Sequence, residues 1–338
     1  MSLRHLAFCM LLGALLTACS PDEPLINSFD DRWRLVLSNQ RGEVLVQPIP
    51  ADAGAVLAWS DVADSSQHTL ERFRDRIYLL HSRRPWIVVF DADTVRALDT
   101  IDLGSAPAQS IAFANATTAY ATIPTQRSVV VLDLTVNSVA HSIDMPSRPM
   151  NIAANGNQFC VTLPDTNAVA ILDSRTRSVE RVIPTAAVPW YVGSDPNSSL
   201  FCIVNLGSGK VDANPASAAS VQFVDASVRT ISAALEITPR SGSALQVVPT
   251  GLAVTSTQIA FVSTQFGLFR VSLRTRNRVS PTLTEKFSSI VFNDARAELI
   301  GQVSTAQGAV LVYNNSTDAL LQRVPVTSPA TSMVGIPR

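Results

Sequence analysis

The sequence predicts an all-β fold: a seven-bladed β-propeller of four-stranded antiparallel blades, its ring closed by mixing N- and C-terminal strands. Three observations carry that expectation. One strand-turn-strand pattern recurs seven times along the chain. Its period, about 42 residues, suits a four-stranded sheet repeated radially. The chain also opens in the middle of a unit and closes with the strand that the first unit lacks.

The units follow in order. The first reads Leu35 to Asn39, a turn, then Glu43 to Gln47; the second, Tyr78 to His81 and Trp86 to Asp91; the third, Tyr120 to Pro124 and Val129 to Asp133. The fourth reads Phe159 to Pro164 and Ala168 to Asp173, and the fifth Phe201 to Asn205 and Val221 to Asp225. Weaker copies end at Ser272 and Asn314. Each run is short, rich in β-branched or aromatic residues, and bounded by Gly, Asn, Asp, Pro or Ser, which are strand and turn signals. A further strand with a polar start follows, such as Thr94 to Leu103 or Asn137 to Ile143, and then a short apolar strand such as Pro149 to Ala154. Ile87 to Phe90, Val129 to Leu132 and Val169 to Leu172 are continuously apolar, as expected where blades packed face to face bury both sides of a middle strand. Helix is expected only within residues 1–18.

The ends support closure. Arg34 to Leu37 reads as a second strand with no inner strand ahead of it, while Pro329 to Gly335, after the seventh outer strand at Leu320 to Val326, reads as an inner strand with no unit behind it. Placing it in the first blade removes a free sheet edge.

These units resemble the YVTN family of propellers, whose consensus has a Tyr-Val-Thr-Asn-like second strand and a Val-x-Val-Ile-Asp third strand. The third-strand aspartate stands at Asp91, Asp133, Asp173 and Asp225, and the second-strand motif is degenerate. The resemblance runs from about Arg32 to the end and implies the fold; it is weak for function.

Residues 1–18 read as an address. Arg4 and His5 precede an apolar run from Leu6 to Leu16, too short to span a bilayer and typical of a secretory signal. Leu16-Thr17-Ala18-Cys19 resembles the lipobox of bacterial lipoproteins, which implies cleavage before Cys19 and lipidation of its thiol; an ordinary signal peptide is the alternative. Several acyl chains would anchor the chain stably. Ser20, where aspartate would favour inner-membrane retention, implies the outer membrane by family analogy, facing the periplasm, with the cell surface as the alternative. Residues 19–31 then form a lipidated tether and 32–338 the propeller.

Composition excludes some partners. A net charge of -1 leaves no electrostatic footprint for nucleic acid. Of four cysteines, processing and lipidation leave only Cys160 and Cys202 in the body, too few for a disulfide framework and without zinc spacing. They hold equivalent places in adjacent units, so each is expected to face the next blade as a free, buried thiol; a disulfide is the alternative. The four periodic aspartates are expected to cap turns. His68, His81 and His141 form no ligand motif, and neither a GxSxG elbow nor a P-loop is present. No catalytic residue, metal ligand or cofactor is therefore assigned, and the chain is expected not to be an enzyme.

Binding is expected on the face that carries the second-to-third and fourth-to-first strand loops. That mapping selects Arg83, Arg84, Gln109, Gln126, Arg148, Asp165, Trp190, Asn205, Gln265 and Lys286, with Arg148 and Trp190 foremost because Arg and Trp dominate interaction hot spots. The 206–219 insertion, which includes Lys210, lies on the same side, where repeat folds place binding loops. Its Asp212 and Asn214 are too few oxygens for a calcium site. The leading expectation is a non-enzymatic, lipid-anchored envelope scaffold for protein partners, touching the membrane through its N-terminal lipid alone. The alternatives are a small-molecule or glycan binding module at the channel mouth and a lactonase-like propeller enzyme.

Overall fold

Strand follows strand because short β-branched and aromatic runs alternate with residues that turn the chain. A computed structural model describes residues 33–39, 41–49, 56–60, 68–209, 217–237, 247–279, 283–294, 296–303, 308–326 and 330–337. The expected signal, Cys19 and the expected tether, together with Lys210, Asp212 and Asn214, lie outside these residues.

Seven antiparallel sheets form a ring. Blade 1 takes its inner strand, Ala330–Pro337, from the C-terminal end and its other strands, Trp33–Asn39, Glu43–Ile49 and Val56–Ser60, from the N-terminal end. Register pairs such as Val36 with Val334 and Leu37 with Met333 join the two, so the predicted closure holds. The inner strands of blades 2 to 7 are His68–Phe73, Ser110–Asn115, Ile152–Asn155, Pro189–Ser194, Pro249–Val254 and Phe287–Asn293. Blade 5 departs from the rule at its outer edge, where the short pieces Thr230–Ile231 and Leu235–Glu236 both pair with the third strand. Helix is confined, among the described residues, to two 3-10 turns, Pro124–Gln126 and Pro164–Thr166. No described helix is long and apolar enough to cross a membrane.

The core lies between blades. Tyr120 of blade 3 packs on Phe159 of blade 4, ring centroids 4.2 Å apart, and Phe73 of blade 2 stacks on Phe113 of blade 3 at 4.4 Å. Second and third strands are buried on both faces, as the continuous apolar runs require. Polar stitches cross the same seams. Thr122 donates to the carbonyl of Met150 at 2.7 Å, and its equivalent Thr162 to the carbonyl of Trp190 at 3.1 Å.

The periodic aspartates cap the turns after the third strands. Asp91 accepts from the amide of Thr94, Asp133 from Thr135, Asp173 from Arg175 and Asp225 from Ser227. Hydrogen bonds from the Arg175 guanidinium to Asp173, from the Thr135 hydroxyl to Asp133 and from the Thr94 amide to Asp91, joined by the other groups of the same turns, hold these carboxyls below the usual carboxylate range, that of Asp173 down to about 2. Cys160 and Cys202 are free and fully buried. Cys160 packs with Phe201 and Ile203 of blade 5, and Cys202 with Ala260 and Val262 of blade 6, so each faces the next blade.

Candidate functional site: the central bore and its loop-bearing mouth

An inner strand is paired on one edge only, so seven of them leave a bore walled by backbone edges and the side chains that fill between them. The bore encloses about 640 Å³ and draws its wall from all seven inner strands. Register divides that wall into levels.

Just inside the mouth stand Thr69, Ser110, Asn151, Tyr191, Gly251, Ser289 and Ser332. Several of them bond to the next inner strand. Ser332 accepts from the amide of Leu70 at 3.0 Å, Ser110 from the amide of Ile152 at 3.4 Å, and Asn151 donates to the carbonyl of Trp190 at 2.8 Å. Polar side chains at this level thus satisfy bore-facing backbone groups that the sheets leave over. The level below is apolar and includes Leu70, Ile152, Leu252, Ile290 and Met333.

One step deeper the seven blades differ. The position that pairs with the third residue of the second strand, or with the fourth, Val36, in the longer strand of blade 1, is Ala112, Ala153, Gly193, Ala253, Val291 and Val334 in six blades, and Glu71 in blade 2. Six neutral, compact residues and one carboxylate occupy equivalent places. Glu71 retains partial exposure to the bore, but protein surrounds it closely enough that desolvation raises its carboxyl to about 7. Sequence reasoning missed Glu71. The sequence alone does not align it, because the spacing to the third-strand marker varies between units, 20 residues from Glu71 to Asp91 and 32 from Gly193 to Asp225; strand register puts it in a column otherwise filled by Ala, Gly and Val.

Bulges shape the mouth. In blades 5, 6 and 7 the register shifts at Trp190, Thr250 and Ser288, one extra residue that re-aims a side chain next to the bore. Trp190, half-buried, lines the bore, and its carbonyl fastens Asn151 and Thr162 of blade 4. Arg148 is exposed and forms a two-pronged pair with Asp165, 2.7 and 3.2 Å, which holds the loop before blade 4 against a second-to-third strand turn of the same blade. That turn is rigid. It is the 3-10 turn Pro164–Thr166, ended by Asn167 in the left-handed region at φ 50°, and blade 3 repeats it with Arg127 at φ 51°.

The remaining expected residues separate. Arg83 is exposed, whereas Arg84 is half-buried and lies over the Trp86 ring at 4.9 Å. Both donate backbone N–H groups to Nδ1 of the buried His81, which shapes this turn. Lys286 is exposed on the same face. Asn205 does not belong with them. It is fully buried, and its amide bonds Ser220 and Gln222 of the adjoining strand at 3.2 Å each, so it closes the neck of the 206–219 insertion from within. The described ends of that insertion are tied down by Ser208 to Ser217 at 2.8 Å and by Gly207 to Ala187 at 3.0 Å. Among the described residues no three His, Cys, Asp or Glu side chains converge as metal ligands.

No protein-family model matches this chain. No curated protein matches it either. Among solved structures it is similar to a chain of Kuenenia stuttgartiensis hydrazine synthase, at a TM-score of 0.65 over 79% of this chain and 88% of that one, with 13% identity. At that identity the likeness shows the propeller fold alone.

Proposed function

We propose that this chain is a lipid-anchored propeller of the bacterial envelope, built of YVTN-type repeats, that acts without chemistry of its own as a scaffold for a protein partner. One observation carries the reading: the chain enters the ring at Trp33, register partner of Pro337, at the end of blade 1 opposite the turn at Asn39. Antiparallel alternation puts the second-to-third and fourth-to-first strand loops on the Asn39 side, and Arg148, Asp165 and the mouth of the bore lie there. Trp33, the first described residue, stands at the other face, and this supports a reading in which the anchor lies on that side and the loop-bearing face is turned away from the outer membrane into the periplasm. A rigid surface with an exposed Arg and a half-buried Trp is suited to a protein partner.

Photocrosslinking in cells from Arg148, Trp190 and the 206–219 loop tests this reading. Capture of one envelope protein from these positions and not from the opposite turns, such as Thr135 and Ser227, is the expected result. Capture from neither face overturns it. Separately, Cys19→Ala should leave the protein unprocessed or released from the membrane; unchanged mass and membrane association would remove the lipid anchor from the proposal.

A further inference from the structure

The bore holds one feature that neither the fold nor a protein-facing surface requires. At the level of Glu71 the other six blades place Ala, Gly or Val, and those residues suffice to pack the seams. Glu71 does not serve as a stitch in the manner of Ser110, Asn151 and Ser332, because no described residue gives its carboxyl a hydrogen bond or an ion pair. Its chain neighbour Arg72 does not neutralise it. Alternation along the strand turns Glu71 with Phe73 toward blade 3 and Arg72 with Leu70 toward blade 1. Phe73 indeed stacks on Phe113 of blade 3, Leu70 packs with Val36 and Val334 of blade 1, and the carboxyl near Arg72 is Asp93. The inner strand of blade 3, Ser110–Asn115, brings no titratable side chain to Glu71. Glu71 is the one carboxylate in the described wall of a cavity of about 640 Å³ whose other charged residue is Arg72, and a carboxylate there without a bonded partner is costly unless a cation joins it.

We propose that the bore binds a small organic monocation, an ammonium on an apolar stem with a polar far end, whose charge rests on Glu71. The levels match that order. From Glu71 the wall rises through Leu70, Ile152 and Met333 to the hydroxyl and amide groups of Thr69, Asn151 and Ser332, two strand residues or about 7 Å toward the mouth. An ammonium is satisfied by one carboxylate and a few neutral oxygens. Ca²⁺ needs six to eight oxygen ligands, and the described bore offers a single carboxylate.

Calorimetric titration of the full chain at pH 8 with 6-aminohexanol, against 1,6-hexanediol as the uncharged counterpart, tests the proposal. Saturable binding of the amine, at least tenfold tighter than that of the diol, is expected. Glu71→Gln should weaken the amine tenfold or more and leave the diol unchanged. Should that variant fail to fold, the wild-type pH profile reads the same group: amine affinity falls between pH 8 and pH 5.5 while the amine itself stays charged. Equal binding of amine and diol, a response to sodium or calcium chloride that matches the amine's, or no saturable binding would each overturn the proposal. None of these outcomes bears on capture of a protein at Arg148, so this reading and the scaffold reading fail independently.

Discussion

Val36 and Val334, from opposite ends of the chain, are register partners in one antiparallel ladder, and both pack against Leu70 and Ile77 of the next blade. Closure therefore adds a hydrophobic seam as well as backbone hydrogen bonds. Truncation after Val326 removes Met333, Val334 and Ile336, which are 3%, 7% and 1% exposed. At about 1.5 to 3 kcal/mol for each buried side chain the loss is on the order of 6 kcal/mol, comparable with the whole net stability of a typical domain. The expected outcome is failure to fold, or a melting temperature lowered by more than about 10 °C, followed by circular dichroism. An unchanged melting curve would remove the closing strand from the stability argument.

Gly301 should resist any side chain. A Cβ there would lie 2.2 Å from the Phe287 ring, which is 1% exposed and wedged between Gly301 and Tyr313. Gly301→Ala is expected to destabilise the protein by about 3 kcal/mol, the upper range for an overpacked core. Chemical denaturation gives that number directly, and Phe287→Leu in the same chain should recover part of it.

The two body thiols are expected to be inert. Burial pushes Cys202 up to about 12 and Cys160 higher still, so neither forms the reactive thiolate at pH 8. Iodoacetamide should leave both unlabelled in the native protein and label both once guanidinium unfolds it, as peptide mapping by mass spectrometry would record. Native labelling at either position would contradict the packing against blades 5 and 6.

Stability should fall as pH rises through neutrality. The carboxyl of Glu71 is raised from 4.5 in an open chain to about 7 in the fold, so the fold favours its protonated form. This contribution is complete below pH 4.5 and is lost as pH rises through 7, a change of about 3 kcal/mol at 1.36 kcal/mol per unit. Glu71→Gln is expected to flatten the dependence between pH 5 and pH 8.5 and to be the more stable protein at the alkaline end. Parallel urea curves for the two proteins across that range would contradict the assignment.

Arg148 and Asp165 form an exposed pair, with side chains 44% and 48% open to solvent, so Arg148→Ala should cost less than about 1 kcal/mol in a urea titration. Under the scaffold reading the same substitution reduces recovery of a partner crosslinked from Trp190. Loss of stability without loss of capture would reverse that assignment and make Arg148 a local loop clamp.

The amino-acid order by itself determined the repeat, the blade count, the strand sequence and the closing strand, because those depend on local signals. Apolar runs at a fixed period mark strands, Asp and Pro mark their ends, and a unit missing one strand at one end of the chain with a spare at the other implies closure. It also placed Cys160 and Cys202, since a radial repeat points equivalent residues the same way. Tertiary structure alone decided what surrounds each polar group. Asn205 stands beside an insertion yet turns inward, because the open hydrogen-bonding groups of Ser220 and Gln222 lie across the hairpin. Arg84 reads like Arg83 but lies on Trp86. Glu71 is one acidic residue among many until register sets it beside Ala112, Val334 and their equivalents around the bore. Burial and partnership are relations between segments remote in the chain, and they set solvation; local pattern carries no record of them.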